Sequence, residues 1–148
     1  MGIEEHIKAK FKNEHHKAIV NLRYTSNWIG AFYNQQLDAF NLTLPQFNIL
    51  RILRGANEPL SIQMVKERML EPSPNTTRLI DKLLEKGFVK REKCKTDRRV
   101  VYLKITKSGL KNLERVDIVF DDMSLKNKIT NDEAVTLNRI LNKLRGEK

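Results

Sequence analysis

Apolar positions recur at roughly helical spacing through most of this chain and alternate in one short stretch, a pattern that predicts helices interrupted by a hairpin. From Glu4 to Phe40 the apolar residues Ile7, Phe11, Ala18, Ile19, Leu22, Ile29, Phe32, Tyr33, Leu37 and Phe40 keep that spacing with no proline among them, so one long helix is expected. The residues before about Lys12 suit a frayed first turn equally well. Asn41 can stop this helix. Thr43-Leu44-Pro45-Gln46 restarts one, because Thr43 can accept from the Gln46 amide while Gln46 reaches back, and a first-turn proline lacks only a donor that has no partner there. The second helix is expected to run to about Arg54 and stop at Gly55, with Phe47, Leu50 and Leu53 facing inward. Ser61 then reads as the N-cap of a short third helix through about Met69, with Ile62, Val65 and Met69 on one face.

Glu71-Pro72-Ser73-Pro74 predicts a sharp turn, with Ser73 and Pro74 opening a fourth helix that runs from Pro74 to Lys86. Ile80, Leu83 and Leu84 can face a core, while Asn75, Thr77, Arg78 and Lys82 carry polar and basic groups on other faces. Gly87 suits the left-handed residue that ends the helix, with Phe88 folding back as its apolar cover. The period then changes. Val89 to Cys94 and Val100 to Thr106 read as strands, joined by Lys95-Thr96-Asp97-Arg98, with Val101, Leu103 and Ile105 on one face. Such a hairpin is too small to stand alone and must lean on the helices before it. Thr106 caps a fifth helix to about Met123, and Thr130-Asn131-Asp132-Glu133 is a capping box for a sixth that carries Val135, Leu137, Ile140, Leu141 and Leu144. The apolar faces of the first, fifth and sixth helices exceed what one subunit can bury, so a homodimer is expected.

Charge adds a preference for a partner. The 148 residues carry a net charge of +10, and residues 74–107 hold 11 basic against 4 acidic side chains, whereas 1–73 hold 9 against 7 and 108–148 hold 8 against 7. Excess positive charge confined to one block is the footprint of a polyanion partner, since phosphate contacts supply the sequence-independent part of DNA affinity. The same charge would also suit a merely solvated face. The fourth helix begins with Ser73, Asn75, Thr76 and Thr77, with Arg78 one turn in, so it offers short hydrogen-bonding groups for base edges and free backbone amides for a phosphate. In the alternative, Ser73 only caps and Thr76 only packs.

Other chemistry finds little support. His6, His15 and His16 all fall on the first helix, and no glycine loop of the phosphate-cradling kind is present. Neighbouring His15 and His16 would point about 100° apart on a helix and do not make a metal pair. No enzyme activity, metal or cofactor is expected. Cys94 is the single cysteine, so no internal disulfide can form. Lys93, Lys95 and Arg91 near it can lower its pKa. No window approaches a membrane span, and the opening MGIEEHIKAKFKNEHH is too charged for a signal peptide, so a cytoplasmic protein is expected.

The runs LTLPQFNILRIL, NTTRLIDKLLEKGFVKRE and DRRVVYLKITKSG closely resemble the MarR (multiple antibiotic resistance regulator) family over about Leu42 to Gly109. Two features depart from its pattern: Val65-Lys66 replaces a more usual Leu-Ala pair, and EPSP a more usual small and polar turn. The resemblance implies a mainly α fold with a small β-hairpin wing, a single domain over 1–148. Residues 42–106 would form the winged helix-turn-helix core, and 1–41 and 107–148 the dimerisation helices. It implies a transcription regulator, a ligand-responsive repressor acting as a homodimer on a palindromic operator in double-stranded DNA. The alternative is a winged-helix module that binds protein. Asp97 and Arg99 match the acid-x-Arg signature of the family wing, in which the arginine enters the minor groove and the aspartate holds its guanidinium. Lys93, Lys95 and Arg98 would then lie near phosphates. The family also implies an effector pocket, for which Tyr24, Trp28, Phe32 and Phe47 are the candidates and a small amphipathic or phenolic compound the ligand class. The same aromatic residues equally suit core or dimer interface.

Overall fold

The structure, a computed structural model, describes residues 2–71, 73–122 and 127–147. The chain divides into two compact units, Met1–Leu113 and Glu114–Lys148. The elements are α1 (Ile3–Ile7), α2 (Glu14–Leu37) followed by a 3-10 turn (Asp38–Phe40), α3 (Leu44–Ala56), β1 (Leu60–Ser61), α4 (Ile62–Arg68), α5 (Thr76–Glu85), β2 (Val89–Lys93), β3 (Val101–Ile105), α6 (Lys107–Asp122) and α7 (Asn131–Leu144).

The expected long first helix is broken. Lys8 adopts a left-handed conformation (φ 50°) that ends α1, and α2 starts afresh where the Asn13 side chain accepts from the His16 amide at 2.9 Å. α1 folds back on α2: Ile3 is buried, Glu4 pairs with Lys17, and the His6 ring lies 5.4 Å from that of Tyr24. Helical spacing alone cannot register this break, because a good N-cap inside the run offers a competing start and α1 gains cover by turning back.

The next elements follow their local signals closely. Asn41 takes the left-handed conformation (φ 56°), and α3 opens with the Thr43/Gln46 capping box. Its end differs: the helix passes Gly55, and the left-handed terminator is Asn57 (φ 54°). Asparagine tolerates that conformation through its short polar side chain, and the glycine inside the last turn is not needed. Phe47, Ile49, Leu50 and Leu53 are buried on α3. Ser61 caps α4 by accepting from the Met64 amide at 3.2 Å.

β1 has no counterpart in the sequence reading. Its two residues are too few to show a period, yet Leu60 and Ser61 pair antiparallel with Leu103 and Tyr102 to give a sheet of order β1-β3-β2. The hairpin register sets Val89 opposite Ile105, Arg91 opposite Leu103 and Lys93 opposite Val101. Leu60, Val89, Leu103 and Ile105 are buried, so the core lies between this sheet face and the inner faces of the helices in the first unit. Gly87 (φ +75°) closes α5, with the Phe88 amide donating to the Leu83 carbonyl at 3.1 Å. The Thr106 hydroxyl donates to the Gly87 carbonyl at 2.6 Å and accepts from the Gly109 amide, which joins the end of α5 to the start of α6.

In the second unit α7 opens with the Thr130/Glu133 capping box, and Val135, Leu137, Ile140 and Leu144 on it are all exposed. The expected end of the fifth helix at Met123 lies outside the described residues.

Candidate nucleic-acid interface

α5 is positioned by its buried stripe. Thr76, Ile80 and Leu83 recur at one helical face and are buried, which turns Thr77, Arg78, Asp81 and Lys82 toward solvent. The start of the helix differs from the expectation. Ser73 is not its N-cap but braces the preceding turn, its hydroxyl oxygen accepting from the Asn75 amide at 3.1 Å, and Asn75 occupies the cap position with no side-chain capping bond. Thr76 is 0% exposed and donates its hydroxyl proton to the Ser73 carbonyl at 2.8 Å. Its hydroxyl is therefore spent inside the fold, which corrects the expectation that Thr76 is offered to a base edge. Asn75, Thr77, Arg78 and Lys82 remain exposed.

The wing is a tight polar turn on two strands. The Cys94 amide donates to the Val100 carbonyl and the Val100 amide to the Asp97 carbonyl, both at 3.2 Å. Lys93, Lys95, Asp97, Arg98 and Arg99 are all exposed. The Asp97 carboxylate does not hold the Arg99 guanidinium: Oδ1 accepts from the Arg99 backbone amide at 2.9 Å, and no ion pair joins the two side chains among the described residues. An aspartate accepting two residues ahead makes a compact turn, so Asp97 shapes the backbone that carries Arg99. The Cys94 thiol lies 3.1 Å from the Thr96 hydroxyl. Its pKa is held below the ordinary value by that hydrogen bond first, then by the Thr96 and Asp97 amides, against burial and the Asp97 charge. Hydrogen bonds from Thr96 and Asp97, and not the flanking lysines and Arg91, are the leading causes of that shift. Arg91 instead pairs with Asp81 at 3.0 Å and ties β2 to α5.

Arg78, Lys82, Lys93, Lys95, Arg98 and Arg99 make no ion pair among the described residues. Their charge is therefore open to a polyanion.

The aromatic candidates separate. Tyr24 and Trp28 line an open cavity of about 460 Å³ together with Ile3, His6, Asn21 and Thr25. Phe32 stacks on Trp28, ring centroids 5.9 Å apart, while Phe47 belongs to the buried face of α3 with the Arg51 guanidinium 5.6 Å from its ring. Phe47 is thus not part of that cavity. Ile3 and His6 were invisible as lining residues because only the fold-back of α1 brings them there. Among the described residues no cluster of His, Cys, Asp or Glu could hold a metal ion, and no helix is long and apolar enough to cross a membrane.

A helix, a turn, a capped helix with polar and basic groups at its front and a basic hairpin beside it define a winged helix-turn-helix protein. The model of the MarR family matches residues 42–101, from the residue before the α3 cap into β3. The HTH-type transcriptional regulator MgrA of Staphylococcus aureus is 25% identical over 117 residues, 78% of this chain and 79% of that protein. A mutant MarR from E. coli is 26% identical with a TM-score of 0.67, over 84% of this chain and 93% of that one. The mutant E. coli MarR complexed with operator DNA shares the fold with a TM-score of 0.79 at 24% identity, over 92% of this chain and 99% of that one. The winged-helix block of this chain, residues 42–101, is thus similar to the MarR family over the part that carries its motifs.

Proposed function

We propose that this chain is a sequence-specific DNA-binding transcription regulator that acts as a homodimer on a palindromic operator, as a ligand-responsive repressor. The observation that carries the reading is the run of exposed cations without an ion pair among the described residues, Arg78 and Lys82 on α5 and Lys93, Lys95, Arg98 and Arg99 on the wing, inside the block that matches the family. On this reading α5 enters the major groove. Asn75, Thr77 and Arg78 face base edges, and the amides of its first turn, braced by Ser73, face a phosphate. Arg99 enters the minor groove, where negative potential is concentrated, and Lys93, Lys95 and Arg98 neutralise flanking phosphates. Residues 42–106 form the DNA-binding core, and 1–41 and 107–148 supply the dimerisation helices. An amphipathic or phenolic effector is the class that the Tyr24 and Trp28 walls would accept.

The experiment is selection of bound sequences from random DNA, followed by titration of the selected site at several salt concentrations. A single enriched palindrome is expected, with affinity falling roughly 10³-fold or more between about 50 and 200 mM salt. No enrichment together with a flat salt response would refute DNA binding and favour a protein partner for the winged helix.

A further inference from the structure

Lys86 occupies the position that ends α5, yet its side chain reaches across to the junction between α2 and α3. Its Nζ donates to the Asn41 carbonyl at 2.6 Å and to the Gln46 Oε1 at 3.1 Å, partners 45 and 40 residues earlier in the chain. Asn41 is the left-handed residue that closes the 3-10 turn after α2. Gln46, 2% exposed, is the residue whose Oε1 also accepts from the Thr43 amide at 3.1 Å to complete the capping box of α3. One amide oxygen therefore serves both the cap of α3 and the anchor of α5.

The same junction is held from two further sides. Asn34 on α2 accepts from the Leu44 amide at 2.7 Å, and Asn112 on α6, itself buried, donates to the Phe40 carbonyl at 3.0 Å. Segment 38–44 is thus gripped by side chains from α2, α5 and α6, and Lys86 is the grip that belongs to the recognition helix.

The chemistry of that grip is a charge held by neutral acceptors. Among the described residues Lys86 has no ion-pair partner, so a half-buried ammonium is balanced only by a carbonyl and an amide oxygen. Burial holds its pKa below the ordinary lysine value, with Lys82 adding to the effect. If the junction moved away, the ammonium would have to exchange both of these charge-assisted hydrogen bonds for water. Keeping both bonds favours a helix end that follows the junction.

We propose that Lys86 is a positioning residue that links the end of α2 to the recognition helix α5, so that displacement of the Asn41–Gln46 junction is passed to the face that reads DNA. The inference rests on the DNA-binding reading for its functional half and on the fold alone for its mechanical half.

Two measurements test the halves separately. Amide exchange without DNA is compared for the wild-type chain, Lys86→Met and Gln46→Glu. In Lys86→Met, exchange rises together across residues 41–46 and 76–85, while α7 is unchanged. In Gln46→Glu, which keeps the capping oxygen and gives Lys86 a carboxylate, exchange falls across the same segments, so the test survives if the first variant folds poorly. Exchange that changes at the end of α5 but not at 41–46 would overturn the link. Binding to the selected site and to scrambled DNA is then measured at one salt concentration. Lys86→Met loses roughly 10-fold or more at the selected site. On scrambled DNA it loses no more than Lys111→Met, which removes one exposed charge from α6, and Lys86→Arg recovers most of the loss. Equal losses on both DNAs would reduce Lys86 to a phosphate contact and overturn its positioning role. A wild-type chain with no sequence preference would instead refute the DNA-binding reading, leaving the exchange result to judge the mechanical link.

Discussion

A methyl group at Gly109 would meet the Ile105 Cγ1 at 2.8 Å and the Phe88 carbonyl oxygen still closer. That carbonyl already accepts from the Thr106 amide at 3.0 Å, so the backbone cannot retreat without breaking the joint between α5, β3 and α6. Gly109→Ala is expected to lower stability by about 1–3 kcal/mol, the usual range for forced overpacking, read from the shift of a urea unfolding midpoint. An unshifted midpoint would show that the joint yields. At the same scale, and on the proposed DNA-binding reading, Arg78 and Arg99 are expected to act differently. Arg78→Ala would remove a group that this reading aims at major-groove edges and should cost about 1–3 kcal/mol at the selected site while hardly changing scrambled DNA. Arg99, which the same reading places in the nearly degenerate minor groove, should when replaced by Ala weaken binding to both DNAs. Because Asp97 holds the backbone amide of Arg99, Asp97→Ala should loosen the turn and reproduce Arg99→Ala more weakly. Binding curves on both DNAs decide the matter, and an Arg99→Ala chain that binds like wild type would remove the wing from the interface.

Among the elements, α1 is held by a contact that pH can release. Glu4 pairs with Lys17, and that hydrogen bond, then the Glu4 amide, hold its carboxyl below the ordinary value, while Lys17 is raised by the same partner. A carboxylate whose folded pKa is depressed contributes stability above its unfolded pKa and loses it as pH falls through the lowered folded value. Docking of α1 on α2 is therefore expected to be complete at neutral pH and to weaken in the acid range below the ordinary carboxylate pKa. Glu4→Gln should remove that dependence. The proximity of His6 to Tyr24 in NMR spectra follows it directly, and an acid profile identical in Glu4→Gln would show that Ile3 and the ring contact hold the helix unaided. The pair is exposed, so its effect stays confined to α1 and should leave global unfolding unmoved.

For the whole molecule, the exposed Ile19, Leu22 and Trp28 on α2 and Val135, Leu137, Ile140 and Leu144 on α7 are more apolar surface than these helices would leave to water. A second copy is the cover proposed here, giving a two-fold dimer with half-sites about one DNA turn apart. Sedimentation at micromolar concentration should show twice the chain mass of 17.3 kDa. A stable monomer would remove the dimer and, with it, the palindromic operator.

Features that depend on a few neighbouring residues were legible in the sequence. The Thr43/Gln46 and Thr130/Glu133 capping boxes, the helix stop at Asn41, the left-handed Gly87 and the alternating strands β2 and β3 are each decided within one turn or one pairing, by groups that find each other as soon as the backbone bends. The excess charge of residues 74–107 was equally plain, because charge is a count and needs no geometry. Tertiary structure decided the rest. β1 exists because Leu60 and Ser61 lie beside β3, α1 turns back because Ile3 finds cover on α2, and Thr76 points inward because it shares the buried face of α5 with Ile80 and Leu83. Lys86 is the extreme case: its acceptors lie 40 and 45 residues away, and no local pattern encodes which distant carbonyl a long, flexible side chain will meet once the core has closed.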